Sequence, residues 1–103
     1  MKVKIFIEYW VKKEKRAMFF QLIPQLKEYH EDKWNINDFE IFEGTEQKNL
    51  FVEEFHIDNE EQYHEIKDDR LQENDPFFST MHECIKGGKE KVNIWAFRKV
   101  DEM

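Results

Sequence analysis

Val3, Ile5, Ile7, Tyr9 and Val11 alternate with Lys4, Phe6, Glu8, Trp10 and Lys12. A side-chain period of two places the first set on one face of a β-strand and the second on the other. The first face is wholly apolar. The second is mixed, yet it carries the large rings of Phe6 and Trp10. The spacing changes to three and four over Arg16–His30, where Phe19, Phe20, Leu22, Ile23, Leu26 and Tyr29 form a broad helical stripe. Pro24 lies within that stripe. Its missing N–H and its ring predict a kink or break near Phe20–Ile23. Glu31–Asn37 is polar around Trp34 and reads as a loop.

Period two returns in Phe39–Glu43 and again in Leu50–Ile57, with the turn-rich Gly44–Asn49 between them. On the longer strand the face holding Phe51, Glu53, Phe55 and Ile57 is the more apolar. Asp58 or Asn59 can cap a second helix, with Glu61 or Gln62 completing the box, and Tyr63, Ile66 and Arg70 share one of its faces. Asp75-Pro76 opens a third helix carrying Phe77, Phe78, Met81, His82 and Ile85, and Gly87-Gly88 is expected to end it. A last strand is read over Val92–Val100, with Val92, Ile94 and Ala96 opposite Trp95 and Phe97.

The order β-α-β-β-α-α-β predicts an α+β fold: a ferredoxin-like split β-α-β sandwich, its antiparallel four-stranded sheet covered by helices on one face. Residues 1–103 form one domain of this kind. The other sheet face keeps Phe6 and Trp10 and is most simply covered by a second copy. With 16% aromatic residues, the chain carries more apolar bulk than a thin two-layer domain consumes.

Charge narrows the partners. A net charge of −7 repels phosphate backbones, so nucleic acid is not expected as a partner. The basic run Lys12, Lys13, Lys15 and Arg16 is interrupted by Glu14 and reads as a solvated turn. No run approaches the ~20 apolar residues of a membrane span. Met1–Val11 alternates with charge and lacks the form of a signal peptide. The lone Cys84 cannot form an internal disulfide, and a cytoplasmic location is expected.

Candidate chemistry is sparse. The four histidines are scattered, and the His82-x-Cys84 pair points apart on a helix, so no metal site is expected. There is no phosphate-binding glycine loop, no Gly-x-Ser-x-Gly and no Cys-x-x-Cys. His82 lies on or beside an apolar helix face, where a neutral imidazole can ligate a haem iron or shuttle protons, or, as the residue pattern alone favours, simply bond a backbone carbonyl. Glu54 and His56 share a strand face and suit either an acid–base pair or the solvated end of an edge strand. Tyr63 and Arg70 suit an anion or carbonyl site, or simple packing with Arg70 reaching water or an acidic neighbour.

In element order and length the chain resembles the dimeric α+β barrel superfamily over nearly its whole length. Asp75-Pro76-Phe77-Phe78-Ser79-Thr80-Met81-His82 resembles the segment that leads to the haem-ligating histidine in the antibiotic-biosynthesis-monooxygenase-like group. The asparagine and tryptophan positions of its haem-degrading members hold Ile7 and Ile66 here, so haem is disfavoured. Leu22-Ile23-Pro24-Gln25-Leu26 is similar to the helix-one segment of the L-rhamnose mutarotases, in which the catalytic histidine position holds Phe19 here.

The resemblance and the residues together imply a homodimeric α+β barrel. A cleft between helices and sheet is expected to bind a small apolar or aromatic molecule, lined by Ile7, Tyr9, Phe19, Ile23, Tyr63 and Phe78. Cofactor-free oxygenation would then use His82 or His56 as the base. A non-catalytic ligand-binding or stress protein is the alternative. A relative of the haem or mutarotase enzymes that has lost key residues is a further one, as is a purely interacting dimer whose cleft is filled.

Overall fold

The computed structural model describes residues 2–72 and 74–102. Four strands and three α-helices, with three short 3-10 turns between and after them, form it: β1 (Val3–Trp10), α1 (Arg16–Trp34), β2 (Glu40–Glu43), β3 (Leu50–Ile57), α2 (Glu60–Arg70), α3 (Pro76–Cys84) and β4 (Asn93–Arg98). The sheet is antiparallel in the order β2-β3-β1-β4, the ferredoxin-like arrangement. Two central strands of eight residues carry most of the pairing, with Ile5 opposite both Phe55 and Ala96. The flanking strands are short, and β2 presents Glu40 and Glu43 at the sheet's edge.

The alternating pattern sorts the two faces as expected. Val3, Ile5, Ile7 and Tyr9 from β1 are buried with Phe51, Phe55 and Ile57 from β3. Phe19, Leu26 and Trp34 of α1, Ile66 of α2, and Phe78 and Met81 of α3 pack onto them. No helix among the described residues is long and apolar enough to cross a membrane.

Caps fix where two helices begin. The Asn59 side chain accepts the Gln62 N–H at 2.9 Å, while Asp75 accepts the N–H groups of Phe77 and Phe78. Pro76 follows Asp75 at the first turn, where a missing N–H costs nothing.

Four elements have boundaries that differ from the sequence reading. α1 does not stop at His30 and is not broken by Pro24; it runs to Trp34. Pro24 lies on the exposed side of the helix, where water can serve the carbonyl it leaves unbonded. The extra turn forms because Trp34 is buried, and Asn35 ends the helix in the left-handed region at φ 54°. α3 ends at Cys84 rather than at the glycines. Ile85 is extended and bridges Val11, and Lys86 N–H donates to the Trp10 carbonyl. The glycines then turn the chain: Gly87 sits at φ 84°, where a Cβ would also meet the Lys91 side chain. β2 and β4 are each shorter than read, since Phe39, Val92, Lys99 and Val100 lie outside the ladder.

Candidate functional site

Three polar side chains occupy core-facing positions and meet between the helices and the sheet. Glu53 lies on the apolar face of β3, Arg70 on the inner face of α2, and His30 on the stripe of α1 one turn after Leu26. All three are buried. Arg70 grips Glu53 with both terminal nitrogens, Nη1 to Oε1 at 2.6 Å and Nη2 to Oε2 at 2.8 Å. Such a parallel pair is the strong form of the carboxylate–guanidinium bond. The Tyr9 hydroxyl donates to the same Oε2 from β1.

The charge states follow from the surroundings. Burial pushes the Glu53 carboxyl up, but the Arg70 charge and the hydrogen bonds from Arg70 and the Tyr9 hydroxyl outweigh it and hold the group below its usual range. Burial and the Glu53 charge drive the Tyr9 phenol well above its ordinary value, so Tyr9 keeps its proton. Burial brings the His30 ring down to about 4 against the pull of Glu53, which leaves it neutral at pH 7. The cluster is therefore one anion, one cation and two neutral groups.

His30 is set in one tautomer. Its Nδ1 lies 2.8 Å from the Leu26 carbonyl, which can only accept, so Nδ1 carries the hydrogen. Nε2 then presents a lone pair, 3.8 Å from Glu53 Oε1 and without a hydrogen-bond partner. The indole Nε1–H of Trp34, one helical turn on, is also buried and unpartnered. Rings surround this pair: Trp34, Phe39 and Phe55 lie against His30, and Phe78 stacks on Trp34. Arg70 lies over the Phe78 ring.

The expected cleft residues converge here, but as packed core. Ile7, Tyr9, Phe19 and Phe78 are buried, whereas Ile23 and Tyr63 are half-buried at its margin. The Tyr63 hydroxyl lies 3.4 Å from the Ile94 carbonyl. Tyr63 and Arg70 are not joined as an anion site: Arg70 turns inward to Glu53 instead of reaching water. His82 Nε2 donates to the Arg70 carbonyl at 2.7 Å, so that nitrogen is committed to holding the end of α2.

His56 is elsewhere. It lies on the outer face of β3, where Asp38 holds it twice: Oδ2 accepts Nδ1–H at 2.7 Å and Oδ1 accepts the backbone N–H at 3.2 Å. Glu54, its expected acid partner, pairs with Lys4 at 2.9 Å instead. Sequence reasoning passed over Glu53, His30 and Asp38. A signal existed for the first two, because each is a polar residue in register with an apolar face.

Trp34 separates the buried centre from the surface. It borders a groove of about 370 Å³ with Ile36, Asp38 and His56, and another of about 330 Å³ with Asn59 and Gln62. Gln62 fastens this wall by donating to the Trp34 carbonyl at 3.0 Å. Among the described residues no group of three or more His, Cys, Asp or Glu side chains is placed to hold a metal ion.

No family profile and no curated protein matches this sequence. Solved structures do match its fold. A conserved protein from Methanosarcina mazei is 16% identical, with 96% of this chain and 93% of that chain covered and a TM-score of 0.72. A Bordetella bronchiseptica protein provisionally assigned as an antibiotic biosynthesis monooxygenase is 12% identical, covering 96% and 97%, with a TM-score of 0.74. SnoaB, a cofactor-independent oxygenase from Streptomyces nogalater, is 9% identical, covering 96% and 93%, with a TM-score of 0.68. The fold is thus that of the antibiotic-biosynthesis-monooxygenase-like α+β proteins.

Proposed function

We propose that this monooxygenase-like chain works as a homodimer that takes a small hydroxylated aromatic molecule into its helix–sheet interior, without a bound cofactor. The observation that carries the reading is the pair of buried, unpartnered nitrogens, one acceptor on His30 and one donor on Trp34, inside a shell of rings. A buried polar atom without a partner costs about 1–3 kcal/mol. A ligand hydroxyl satisfies both, donating to His30 Nε2 and accepting from Trp34 Nε1–H, while its ring replaces aromatic contacts. Since the interior is packed, access requires Trp34 to swing toward the groove beside it.

The expected lining keeps its place in this reading. Ile7 and Tyr9 form the floor, Phe19, Ile23, Tyr63 and Phe78 the roof. His82 positions Arg70 from behind. His56 stands at the mouth of the groove. With an electron-rich hydroxylated ring the site favours oxygenation by O2: the substrate supplies all four electrons and loses two hydrogens, one oxygen atom stays on the ring as the second carbonyl of a quinone and the other leaves with those hydrogens as water. SnoaB, named a cofactor-independent oxygenase, offers a parallel on the same fold.

The outer sheet face supports the dimer. Trp10, Phe42, Trp95 and Phe97 are each 44–53% exposed on it, where single scattered apolar residues would be the norm. A second copy packing sheet to sheet covers them and closes a barrel.

Titration with 2-naphthol, followed by melting temperature, tryptophan fluorescence and oxygen uptake, tests the reading. Saturable stabilisation is expected in the wild type and its loss in His30→Leu. Stabilisation without oxygen uptake supports the non-catalytic alternative. The absence of any saturable effect refutes an interior ligand site.

A further inference from the structure

How a ligand reaches the interior is written in the last turn of α1, on the reading of the site proposed above. His30 and Ile36 are both buried, and Ile36 N–H donates to the His30 carbonyl at 3.0 Å. Residues 31–35 form the flap between these two anchors, ending at the left-handed Asn35. Of the five, only Trp34 is buried; Glu31, Asp32, Lys33 and Asn35 face water. A helix end carries carbonyls that its own N–H groups cannot reach, and a turn with so little buried surface opens before the rest of the fold.

Trp34 plugs the flap. Its ring is enclosed by Tyr29, His30 and Phe78, at centroid distances of 5.1, 4.9 and 6.4 Å. Packed on three sides, and limited to the few χ1 wells open to a large helical side chain, the ring leaves with its backbone and does not turn in place. The buried, unpartnered indole N–H favours that exit, because water in the adjoining grooves accepts its hydrogen.

Among the described residues, two polar contacts bind the flap to α2. Lys33 pairs with Asp69 at 3.0 Å, a partly exposed link that contributes little. The other is Gln62, whose Nε2 donates to the Trp34 carbonyl at 3.0 Å. Gln62 is itself fixed: Asn59 accepts its backbone N–H at 2.9 Å, and its Oε1 accepts the Asp58 N–H at 3.3 Å. One amide thus joins the first turn of α2 to the last turn of α1.

We infer that residues 31–35 are a lid over the interior site, with Trp34 as its plug and Gln62 as the latch that sets how often it opens. A ligand enters while the bond to the Trp34 carbonyl is broken and is enclosed when it re-forms. The lid lies on the helix side of the sheet, so a second copy on the outer face leaves it free to move.

Gln62→Leu and Gln62→Glu test the latch in the full-length protein. The second keeps the acceptor for Asp58 N–H and loses only the donor, because a carboxylate only accepts. Exchange of the Trp34 indole hydrogen with D2O, followed by NMR, should quicken about twofold to tenfold in Gln62→Leu, the span of one neutral hydrogen bond, and at least as much in Gln62→Glu. Asp75→Ala, which weakens the cap of α3, should leave that rate unchanged. In stopped-flow mixing with 2-naphthol, both Gln62 variants should raise the association and dissociation rates by one factor and leave Kd unchanged, because the latch is closed before and after binding. An indole rate that neither variant alters overturns the lid. So does an equal acceleration in Asp75→Ala, since the opening would then be global unfolding. A rise in the dissociation rate alone also overturns it, for Gln62 would then belong to the bound site. Faster indole exchange without any 2-naphthol binding would refute the interior site and leave the lid standing.

Discussion

Replacing Arg70 with methionine leaves Glu53 at the floor of the helix–sheet layer with only Tyr9 as a partner. Both charges are fully enclosed, and Arg70 supplies two of the carboxylate's three strong hydrogen bonds. Removing one partner of such a pair costs about 3–5 kcal/mol, because the survivor stays buried and uncompensated. Whole domains of this size are stable by about 5–15 kcal/mol. The variant should therefore lose roughly a fifth or more of its stability and melt at least ~12 °C lower. Replacing the set together, as Tyr9→Phe, Glu53→Leu and Arg70→Met, should recover most of that loss, since apolar groups of similar volume tolerate the same site. Urea unfolding by circular dichroism of the wild type and both variants supplies the numbers. A loss below about 1 kcal/mol in Arg70→Met would refute the account, for it would mean that water already reaches Glu53.

Stability should also fall steeply in mild acid. His30 titrates near 4 when folded and near 6.5 when unfolded, so the unfolded chain binds more protons between those values. Folding is thus favoured above pH 6.5 and loses about 3 kcal/mol as pH drops to 4, a dependence that His30→Leu should flatten in pH-resolved melts. Glu43 is held down to about 2 by Arg16, whose Nη2 lies 2.8 Å from Oε1, and by the Asn49 N–H. In Arg16→Gln its titration, read by carboxyl NMR, should move back toward the ordinary carboxylate range. Cys84 is enclosed, and burial pushes its thiol up, so native protein should resist a thiol reagent that labels the unfolded chain at once. Asp75→Ala should cost about 1 kcal/mol through the lost cap of α3.

The fold was legible because its signals are local. Strict alternation in β1 and β3, and the caps at Asn59 and Asp75, fix their elements without long-range information. Boundaries set by tertiary contact were not legible. Nothing near Trp34 announces a helix; the turn forms because its ring is buried against Phe78 and His30. The interior centre was half legible. Glu53 among Phe51, Phe55 and Ile57 is a carboxylate on a core face, which obliges a buried partner, yet only the packing of α2 identifies Arg70 as that partner. His82 drew attention because it followed a familiar segment, whereas His30 did not because no motif surrounds it. Asp38 sits eighteen residues from His56, a pairing that the β2–β3 crossing creates.

The short β2 bears on how copies of this chain can join. A sheet edge with unpaired backbone groups invites another strand, and successive additions grow a fibre. β2 offers only four residues, bounded by Glu40 and Glu43, so two such edges meeting would set carboxylates against one another. Pairing of one β2 edge with another is thereby discouraged. The apolar outer face is left as the better contact, and pairing through a face consumes it in both copies. Association by that route stops at a closed pair instead of running on as a filament.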